Sequence, residues 1–337
     1  MSILDLLQSA PPDVAVEIDR THVSAARLTV RGNQAVISGH ASEALPQGAV
    51  VPGLLAPNMP DVPMVAGAIR KVVSELGGSK PARVALVLPD TVAKVSLLKL
   101  EKVPPKAADL QEIVKWQVRK TAPFPMESAV LSVSPGAFTA DGASEFVVSV
   151  ARAEVIHQYE QACVMAGLHA GLIDLSTFSV INGVLAGPAP PAGDWLLVHV
   201  TDSYLTLAVI RNHGLLFFRN RSEEGEGTLA DMIHQTAMYY EDRLHGAGFA
   251  RVLIAGAARL PSGAESVRRD LEQRLRIGVE AVDPRSAAAL QDRIAASPEL
   301  LDVLAPLVGM LLRERKAAPR GDAASTNRSA TVGAEVR

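Results

Sequence analysis

The sequence predicts an α/β protein with two similar domains and a small subdomain inserted into the first. Two distant stretches, 14–33 and 195–218, each contain a run rich in β-branched and aliphatic residues, a polar turn and a second such run, which is typical of a β-hairpin. Each hairpin precedes amphipathic helices and further strands, so one structural plan occurs twice. A third set of strand and helix patterns lies between the two copies of this plan.

The bulk composition excludes several classes of protein. The 337 residues, 48% of them hydrophobic, suffice for two domains with their own cores. The 33 basic and 36 acidic residues give a net charge of -3, so no nucleic acid partner is expected. Cys163 is the only cysteine, so neither a disulfide nor a thiolate zinc site is expected, and a reducing cytoplasmic setting is predicted.

No stretch predicts a membrane span or a secretory signal. The longest apolar run, at 300–312, contains Asp302 and Pro306, and it falls short of the roughly 20 residues that a spanning helix needs. The amino-terminal stretch MSILDLLQSAPP lacks the basic region and the small-residue cleavage site of a signal peptide.

The elements of the first half follow in order. Apolar residues at helical spacing predict a helix over 62–76 that ends at Gly77 and Gly78. The runs ARVALVLPD and AKVSLLKLEKV predict neighbouring strands, 109–120 predicts a helix, and 128–138 and 144–151 predict two more strands. Residues 83–151 are therefore expected to form an inserted β-β-α-β-β subdomain.

The second half repeats the plan after a linker. Helical faces at 154–166 and 175–185 complete a first lobe made of 1–82 and 152–187, and the Pro- and Gly-rich stretch AGPAPPAGD at 186–194 predicts the linker. The second hairpin, a helix over 229–244, the strand ARVLIAGAA, a helix over 263–275 and the strand GVEAVD make 194–313 the second lobe. Residues 314–337 have few bulky apolar side chains and predict a disordered tail.

A series of motifs along the chain, from about 13 to 313, resembles the PilM family of type IV pilus assembly proteins. The motifs are VALVLPD with LLKLEKVP, EIVKWQVRKTAPFPMESAVLSV, FVVSVARAEVIHQYEQACVMAGLHAGLIDLSTFSVINGV, GLLFFR, MYYEDRL, VLIAGAARLPSG and PLVGMLLRE. The resemblance implies the two-domain actin-like fold of sugar kinases, Hsp70 and actin, in which both hairpin turns face the phosphates of a nucleotide held between the lobes.

The resemblance also implies which residues line that cleft. They are Glu17, Asp19 and Thr21 of the first hairpin, His199, Thr201 and Asp202 of the second, and the glycines Gly225, Gly227 and Gly256. The family's first hairpin resembles Asp-Ile-Gly followed by hydroxyl residues and a lysine, whereas this chain has Glu17, Asp19 and Ser24 at the changed positions. A glycine lets the backbone approach a phosphate, and a carboxylate repels one.

The second hairpin departs from the family in the same way, since HVT at 199–201 stands where Asp-x-Gly is expected. The fold implies ATP with magnesium as the cofactor, but the residues of both turns do not support it. We therefore assign no certain cofactor and no catalytic residue, and we expect little or no ATPase activity.

His199 has two interpretations because it lies in an apolar strand. It could be a general base or a metal ligand, or a histidine held by hydrogen bonds at the cleft, which we favour. The eight histidines lack H-E-x-x-H and other metal spacings, so no metal site is predicted. No G-x-S-x-G motif supports a hydrolase.

A second candidate site lies in the inserted subdomain. Trp116, Phe124 and Met126 are large apolar residues in a basic stretch that includes Arg119. Such a surface suits a short peptide with apolar anchors and an acidic or polar face, although the same residues could simply close the core of the subdomain. The resemblance implies that a groove between the first lobe and the insertion receives the cytoplasmic amino-terminal segment of the membrane protein PilN. Because the resemblance matches the insertion, we place these four residues of the insertion at that groove.

Together these observations favour a cytoplasmic scaffold that a PilN-like protein holds at the inner membrane, where it contacts other pilus assembly proteins. The main alternative is an ATP-binding switch or slow ATPase of the same fold. Self-association, as in a polymerising cytoskeletal relative, is a further alternative, although the tail past 313 lacks an amphipathic apolar face for membrane binding. A type II secretion protein of this fold would be expected to continue into a membrane span.

Overall fold

The computed structural model describes residues 11–138, 144–222, 229–292 and 294–313. The helices are α1 (Val62–Glu75), α2 (Ala107–Arg119), α3 (Ala153–Met165), α4 (Ser176–Ala186), α5 (Leu229–Leu244), α6 (Gly263–Leu275) and α7 (Pro298–Arg313). The strands are β1 (Val14–Ile18), β2 (His22–Arg31), β3 (Gln34–Ala44), β4 (Arg83–Leu88), β5 (Ala93–Leu100), β6 (Ala129–Phe138), β7 (Ser144–Arg152), β8 (His169–Leu175), β9 (Trp195–Val200), β10 (Tyr204–Arg211), β11 (Gly214–Ser222), β12 (Arg251–Ala255), β13 (Val279–Ala281) and β14 (Ala289–Leu290). The tail predicted at 314–337 lies outside the described residues.

Two sheets repeat one strand order. The larger sheet has the order β14-β3-β2-β1-β4-β8 and the smaller one has the order β11-β10-β9-β12-β13. Each sheet contains three consecutive antiparallel strands. The first of the three also pairs with a parallel strand, which is β4 beside β1 and β12 beside β9. Both predicted hairpins are thus the first two strands of a three-stranded antiparallel unit. The repeated order is the duplicated α/β plan that the sequence predicts.

Alternation along the strands places helices on both faces of each sheet. Val16 of β1 faces α1 and α3, whereas Ala15 faces α7. Val198 of β9 faces α5 and α6, whereas Leu197 faces α4. We call the six-stranded sheet with α1 and α3 the first lobe, and the five-stranded sheet with α5 and α6 the second lobe. Helices α4 and α7 lie between the two sheets.

The two central helices cross at glycines. Gly183 of α4 lies against Gly309 of α7, and a Cβ atom added to Gly309 would lie only 1.7 Å from the carbonyl oxygen of Ser179. Any side chain at this crossing would force the helices apart. The glycine in α7 therefore fixes how closely the layers of the two lobes can approach each other.

The strand at 83–88 belongs to a different sheet from the one predicted. The sequence predicts it in the inserted subdomain, but β4 pairs in parallel with β1 and β8 of the first lobe, so that prediction is wrong. After Arg83 the strand is apolar and buried, which suits a central parallel strand covered on both faces. The insertion is the three-stranded sheet β5-β7-β6 with α2 on one face.

The last part of the predicted second lobe also packs elsewhere. Strand β14 pairs with β3, and α7 buries Leu304, Leu307 and Val308 against the sheet of the first lobe, so assigning 284–313 to the second lobe is wrong. The spacing of apolar residues shows that a helix has a buried face but not which sheet covers it. Within the described part of the chain, no helix is both long and apolar enough to cross a bilayer.

The inserted sheet contacts both lobes. It follows β4 and leads into α3 of the first lobe. Its face opposite α2 places Leu97 of β5 and Val147 of β7 beside Phe178 of α4 and Phe218 of β11. The Phe178 and Phe218 ring centroids lie 5.2 Å apart. The insertion is therefore packed against the second lobe through β11.

Candidate functional site

The two hairpin turns are built alike. In the first, Oδ1 of Asp19 accepts hydrogen bonds from the backbone N–H groups of Thr21 (2.7 Å) and His22 (2.6 Å). In the second, the Thr201 hydroxyl accepts a hydrogen bond from the backbone N–H of Ser203 (3.2 Å). Phosphate-binding loops present such amides to their ligand, but here side chains of the turns occupy them. The polar residue that begins each turn therefore binds the turn's own backbone.

Residues of both turns line the cleft between the lobes. Asp19 and Thr21 of the first turn lie there together with Thr201 and Asp202 of the second. Burial, and next the negative charge of Asp19, raise the pKa of Asp202. Each turn thus brings one carboxylate to the same space.

Glu17, near the end of β1, is buried beneath the first turn, with 7% of its surface exposed. The Ser176 hydroxyl at the start of α4 donates a hydrogen bond of 2.8 Å to its Oε1. Burial, followed by the charge of Asp19, raises the pKa of Glu17 from 4.5 to about 7. The carboxyl group is therefore part protonated near neutral pH, whereas orienting a magnesium-bound water requires a fully ionised acid.

A buried network centred on Asp90 lies deeper in the cleft. Asp90 follows β4, and its carboxylate accepts hydrogen bonds from the Thr177 backbone N–H (3.0 Å), from the Thr177 hydroxyl and from the Thr206 hydroxyl (2.6 Å). Asn220 in turn donates to the Thr206 hydroxyl at 2.8 Å. Asp90 thereby caps the amino terminus of α4 and joins the first lobe to β10 of the second.

His199 belongs to this network. Its Nδ1 lies 2.8 Å from the Thr177 hydroxyl, which already donates to Asp90. The ring is 4% exposed. Burial, and then the positive charge of Arg259, lower the pKa of His199 to about 4. A neutral imidazole that donates through Nδ1 satisfies this arrangement, which is the hydrogen-bonded histidine of the sequence analysis.

Arg259 reaches across the mouth of the cleft. Its guanidinium forms an ion pair of 3.0 Å with Asp19 and lies 3.1 Å from Nδ1 of His22. The arginine ends a short 3-10 helix at Ala257–Arg259, after β12. Asp302 of α7 accepts a hydrogen bond of 2.7 Å from the Ala258 backbone N–H and so holds this helix in place.

Of the three glycines predicted to line the cleft, the structure describes one. Gly256 precedes the 3-10 helix with φ 82°, and a Cβ atom there would lie 2.1 Å from the carbonyl oxygen of Val200. It permits close approach of the β12 end to the β9 end, a local reason for glycine that needs no ligand. Gly225 and Gly227 lie outside the described residues.

The space between the turns is small and rich in carboxylates. The cavity measures about 100 Å³, below the roughly 300–1,000 Å³ of small-molecule pockets. Glu17, Asp19, Asp202 and Asp302 line it together with Arg259. Several carboxylates would repel a triphosphate, so these residues do not match what ATP with magnesium requires. Among the described residues, no group of three or more His, Cys, Asp or Glu side chains is arranged to hold a metal ion.

The four partner-binding candidates separate into exposed and buried residues. Trp116 on α2 is 62% exposed, and the Lys120 ammonium lies over its ring at 4.5 Å from the centroid. Arg119 is exposed and lies 3.5 Å from Glu127. Phe124 packs partly into the core of the insertion, and Met126 is 4% exposed within that core. Met126 therefore closes the subdomain core and is not available to a partner.

Several residues of the cleft are absent from the sequence prediction. They are Asp90, Ser176, Thr177, Thr206, Arg259 and Asp302. Thr206 lies in the interior of β10, and the other five lie outside the two hairpins in sequence. The available signal was a polar residue just after an apolar strand, which holds for Asp90, two residues after the end of β4.

Comparisons with known proteins agree with this architecture. The family model described as type IV pilus assembly protein PilM matches residues 15–251. A search of curated proteins finds no match. Among solved structures, a chain of the PilM-PilN type IV pilus biogenesis complex is similar with a TM-score of 0.76 and 18% identity, covering 91% of this chain and 99% of that one.

Two further structures are more distant. The ethanolamine utilization protein EutJ from Carboxydothermus hydrogenoformans matches with a TM-score of 0.48 and 11% identity over 92% of this chain and 93% of its own. The cytoplasmic domain of EpsL, an inner membrane component of the type II secretion system of Vibrio cholerae, matches with a TM-score of 0.42 and 9% identity over 72% and 81%. With the strand order, the family match confirms the predicted actin-like fold.

Proposed function

Because the chain belongs to the type IV pilus assembly protein PilM family, we propose that it is a cytoplasmic scaffold that acts by binding rather than by turnover. Its partner is the cytoplasmic amino-terminal segment of a PilN-like inner-membrane protein, which holds it at the membrane beside other pilus assembly proteins. The similar solved chain comes from a PilM-PilN complex, which supports this choice of partner.

The exposed Trp116 is the observation that carries the proposal. Large apolar side chains exposed side by side mark interaction surfaces, and Trp is among the residues that dominate binding energies. Ile113, one turn earlier on α2, is also 38% exposed, so the helix presents an apolar ridge. Lys120 over the Trp116 ring adds positive charge beside that ridge. A short peptide with apolar anchors and polar or acidic neighbours suits this surface.

The cleft supports the second half of the proposal, which is little or no ATPase activity. The turn amides are bonded to side chains of the turns, and the residue in the position of the family's acid is a Glu17 with a pKa near 7. Hydrolysis of ATP depends on a magnesium ion and on an oriented water. These residues provide neither a phosphate-binding loop nor a fully ionised acid for that chemistry.

Peptide binding can be measured directly. The probe is a fluorescent synthetic peptide with the amino-terminal segment of a PilN-like protein from the source organism, and the readout is fluorescence anisotropy without nucleotide. We expect saturable binding that Trp116→Ala weakens by at least about tenfold, the loss typical of a hot-spot tryptophan.

The matched control is Met238→Ala. Met238 is 49% exposed on α5 of the second lobe, so it is a similarly exposed apolar residue away from the insertion. This variant should bind the peptide like the parent protein. A parent protein that fails to bind, or a Trp116→Ala variant that binds as tightly as the parent, would refute the proposal.

A further inference from the structure

We propose that Arg259 is a built-in latch, which reaches from the second lobe to Asp19 and His22 of the first hairpin and holds the cleft closed without a ligand. The contacts are the 3.0 Å ion pair with Asp19 and the 3.1 Å approach to His22 Nδ1. This inference goes beyond the proposed function because it concerns what holds the lobes together, whichever partner the protein binds.

The short helix that carries Arg259 is held in place at its start and by α7. Gly256 turns the chain sharply at the end of β12, where only glycine avoids a clash with the Val200 carbonyl. Asp302 of α7 then accepts the Ala258 backbone N–H at 2.7 Å. Since α7 packs on the first lobe, the short helix that carries Arg259 is held by that lobe as well. The arginine therefore loses little backbone freedom when it forms its contacts.

The Asp19 carboxylate, which Arg259 contacts, is also held in place. Oδ1 of Asp19 closes its own turn through Thr21 and His22, and its Oδ2 receives Nη1 of Arg259. The two carboxylate oxygens thus have separate partners. The side chains of Arg259 and Asp19 are only 27% and 16% exposed, so solvent and salt screen their attraction less than that of a surface pair.

The position of the pair distinguishes a latch from a core contact. Two other polar links between the lobes, Asp90 to Thr206 and Thr177 to His199, are buried and lie at the base of the cleft. The Arg259 contact lies nearer to solvent, above Glu17. Breaking it should let the hairpin turns separate while the buried network continues to join the lobes.

The separation of the lobes can be measured with two spin labels. Glu75→Cys on α1 and Gln273→Cys on α6 place labels on exposed outer helices of the two lobes, and the native Cys163 is buried. Electron–electron double resonance then reports the distance distribution. We expect Arg259→Ala to give a longer mean distance and a broader distribution than the parent. Asp19→Asn, whose amide oxygen can still close the turn, should shift the distribution in the same direction.

Arg251→Ala is the matched control. Arg251 forms an equivalent ion pair of 2.7 Å with Glu280, but both residues lie within the second lobe. Its distribution should superpose on that of the parent. If Arg259→Ala and Asp19→Asn, both with native circular dichroism, also superpose on the parent, the latch is refuted.

Discussion

Burial changes the pKa of two side chains in the cleft, Glu17 and His199. The pKa of Glu17 is raised to about 7, chiefly by burial, and burial lowers the pKa of His199 to about 4. The two shifts have opposite effects on stability. Burial of neutral His199 favours folding more as pH rises from 4 to 6.5, whereas ionising buried Glu17 disfavours folding as pH rises from 4.5 to 7.

Glu17→Gln should therefore gain stability relative to the parent as pH rises. The unfolded carboxyl group ionises near 4.5 and the folded one near 7, so the native state binds more protons between these values and loses stability with rising pH. The variant has no ionisable group at this position, so its stability does not fall in this way. Its amide oxygen can still accept the hydrogen bond from the Ser176 hydroxyl. From pH 4 to pH 8 its free energy of unfolding should increase by about 3 kcal/mol relative to the parent, at about 1.4 kcal/mol per pKa unit.

Urea unfolding at several pH values measures this difference. Glu75→Gln makes the same chemical change at an exposed end of α1 and should follow the parent at every pH. A parallel pH dependence of Glu17→Gln and the parent would show that Glu17 ionises normally in the folded protein.

The sequence alone could locate part of this site. Glu17, Asp19, His199 and Asp202 lie at the ends of the paired hairpin strands, so local pattern and resemblance suffice to bring them together. Arg259 could not be placed in this way, because its contact with Asp19 depends on how two lobes pack. Burial, which sets the protonation of Glu17, is likewise a property of the folded chain.

At the scale of elements, the crossing of α4 and α7 determines how closely the lobes pack. Gly309→Ala should destabilise the protein by about 1–3 kcal/mol, the usual range for overpacked interiors. The added Cβ would lie 1.7 Å from the Ser179 carbonyl oxygen, so the helices must separate. The measurement is the midpoint and slope of urea unfolding.

Gly67→Ala is the control for helix propensity. Gly67 also lies inside a helix, α1, and a Cβ atom there would meet nothing within 4 Å. This variant should gain up to about 1 kcal/mol because alanine favours helices. If Gly309→Ala were stabilised to the same extent, close packing at the crossing would not limit the structure.

The elements themselves were largely predictable. Periodic apolar residues place α1, α2, α3, α5 and α6 to within a few residues, because amphipathic spacing is a local property. Strand β8, whose HAGLIDL sequence has neither strict alternation nor a continuous apolar run, was missed. The sheet to which β4 belongs and the lobe against which α7 packs depend on contacts distant in sequence, which local patterns do not encode.

In the whole molecule, the cleft between the lobes and the exposed ridge of Trp116 lie in different parts of the structure. The cleft is closed by Arg259, Asp19 and the Asp90 network, and the exposed ridge of Trp116 lies on the insertion. The insertion nevertheless packs on β11 of the second lobe. Closure of the cleft by the protein's own side chains would therefore keep the insertion and its Trp116 in a constant position.

Calorimetric titration of the purified protein with ATP and magnesium tests directly whether the protein's own side chains close the cleft in place of a nucleotide. We expect no heat of binding and no rise in Tm up to about 1 mM nucleotide, a concentration at which a Kd of about 10 μM would stabilise the protein by about 2.7 kcal/mol. Saturable micromolar binding would show that the cleft holds a nucleotide, and it would favour an ATP-binding switch of the same fold.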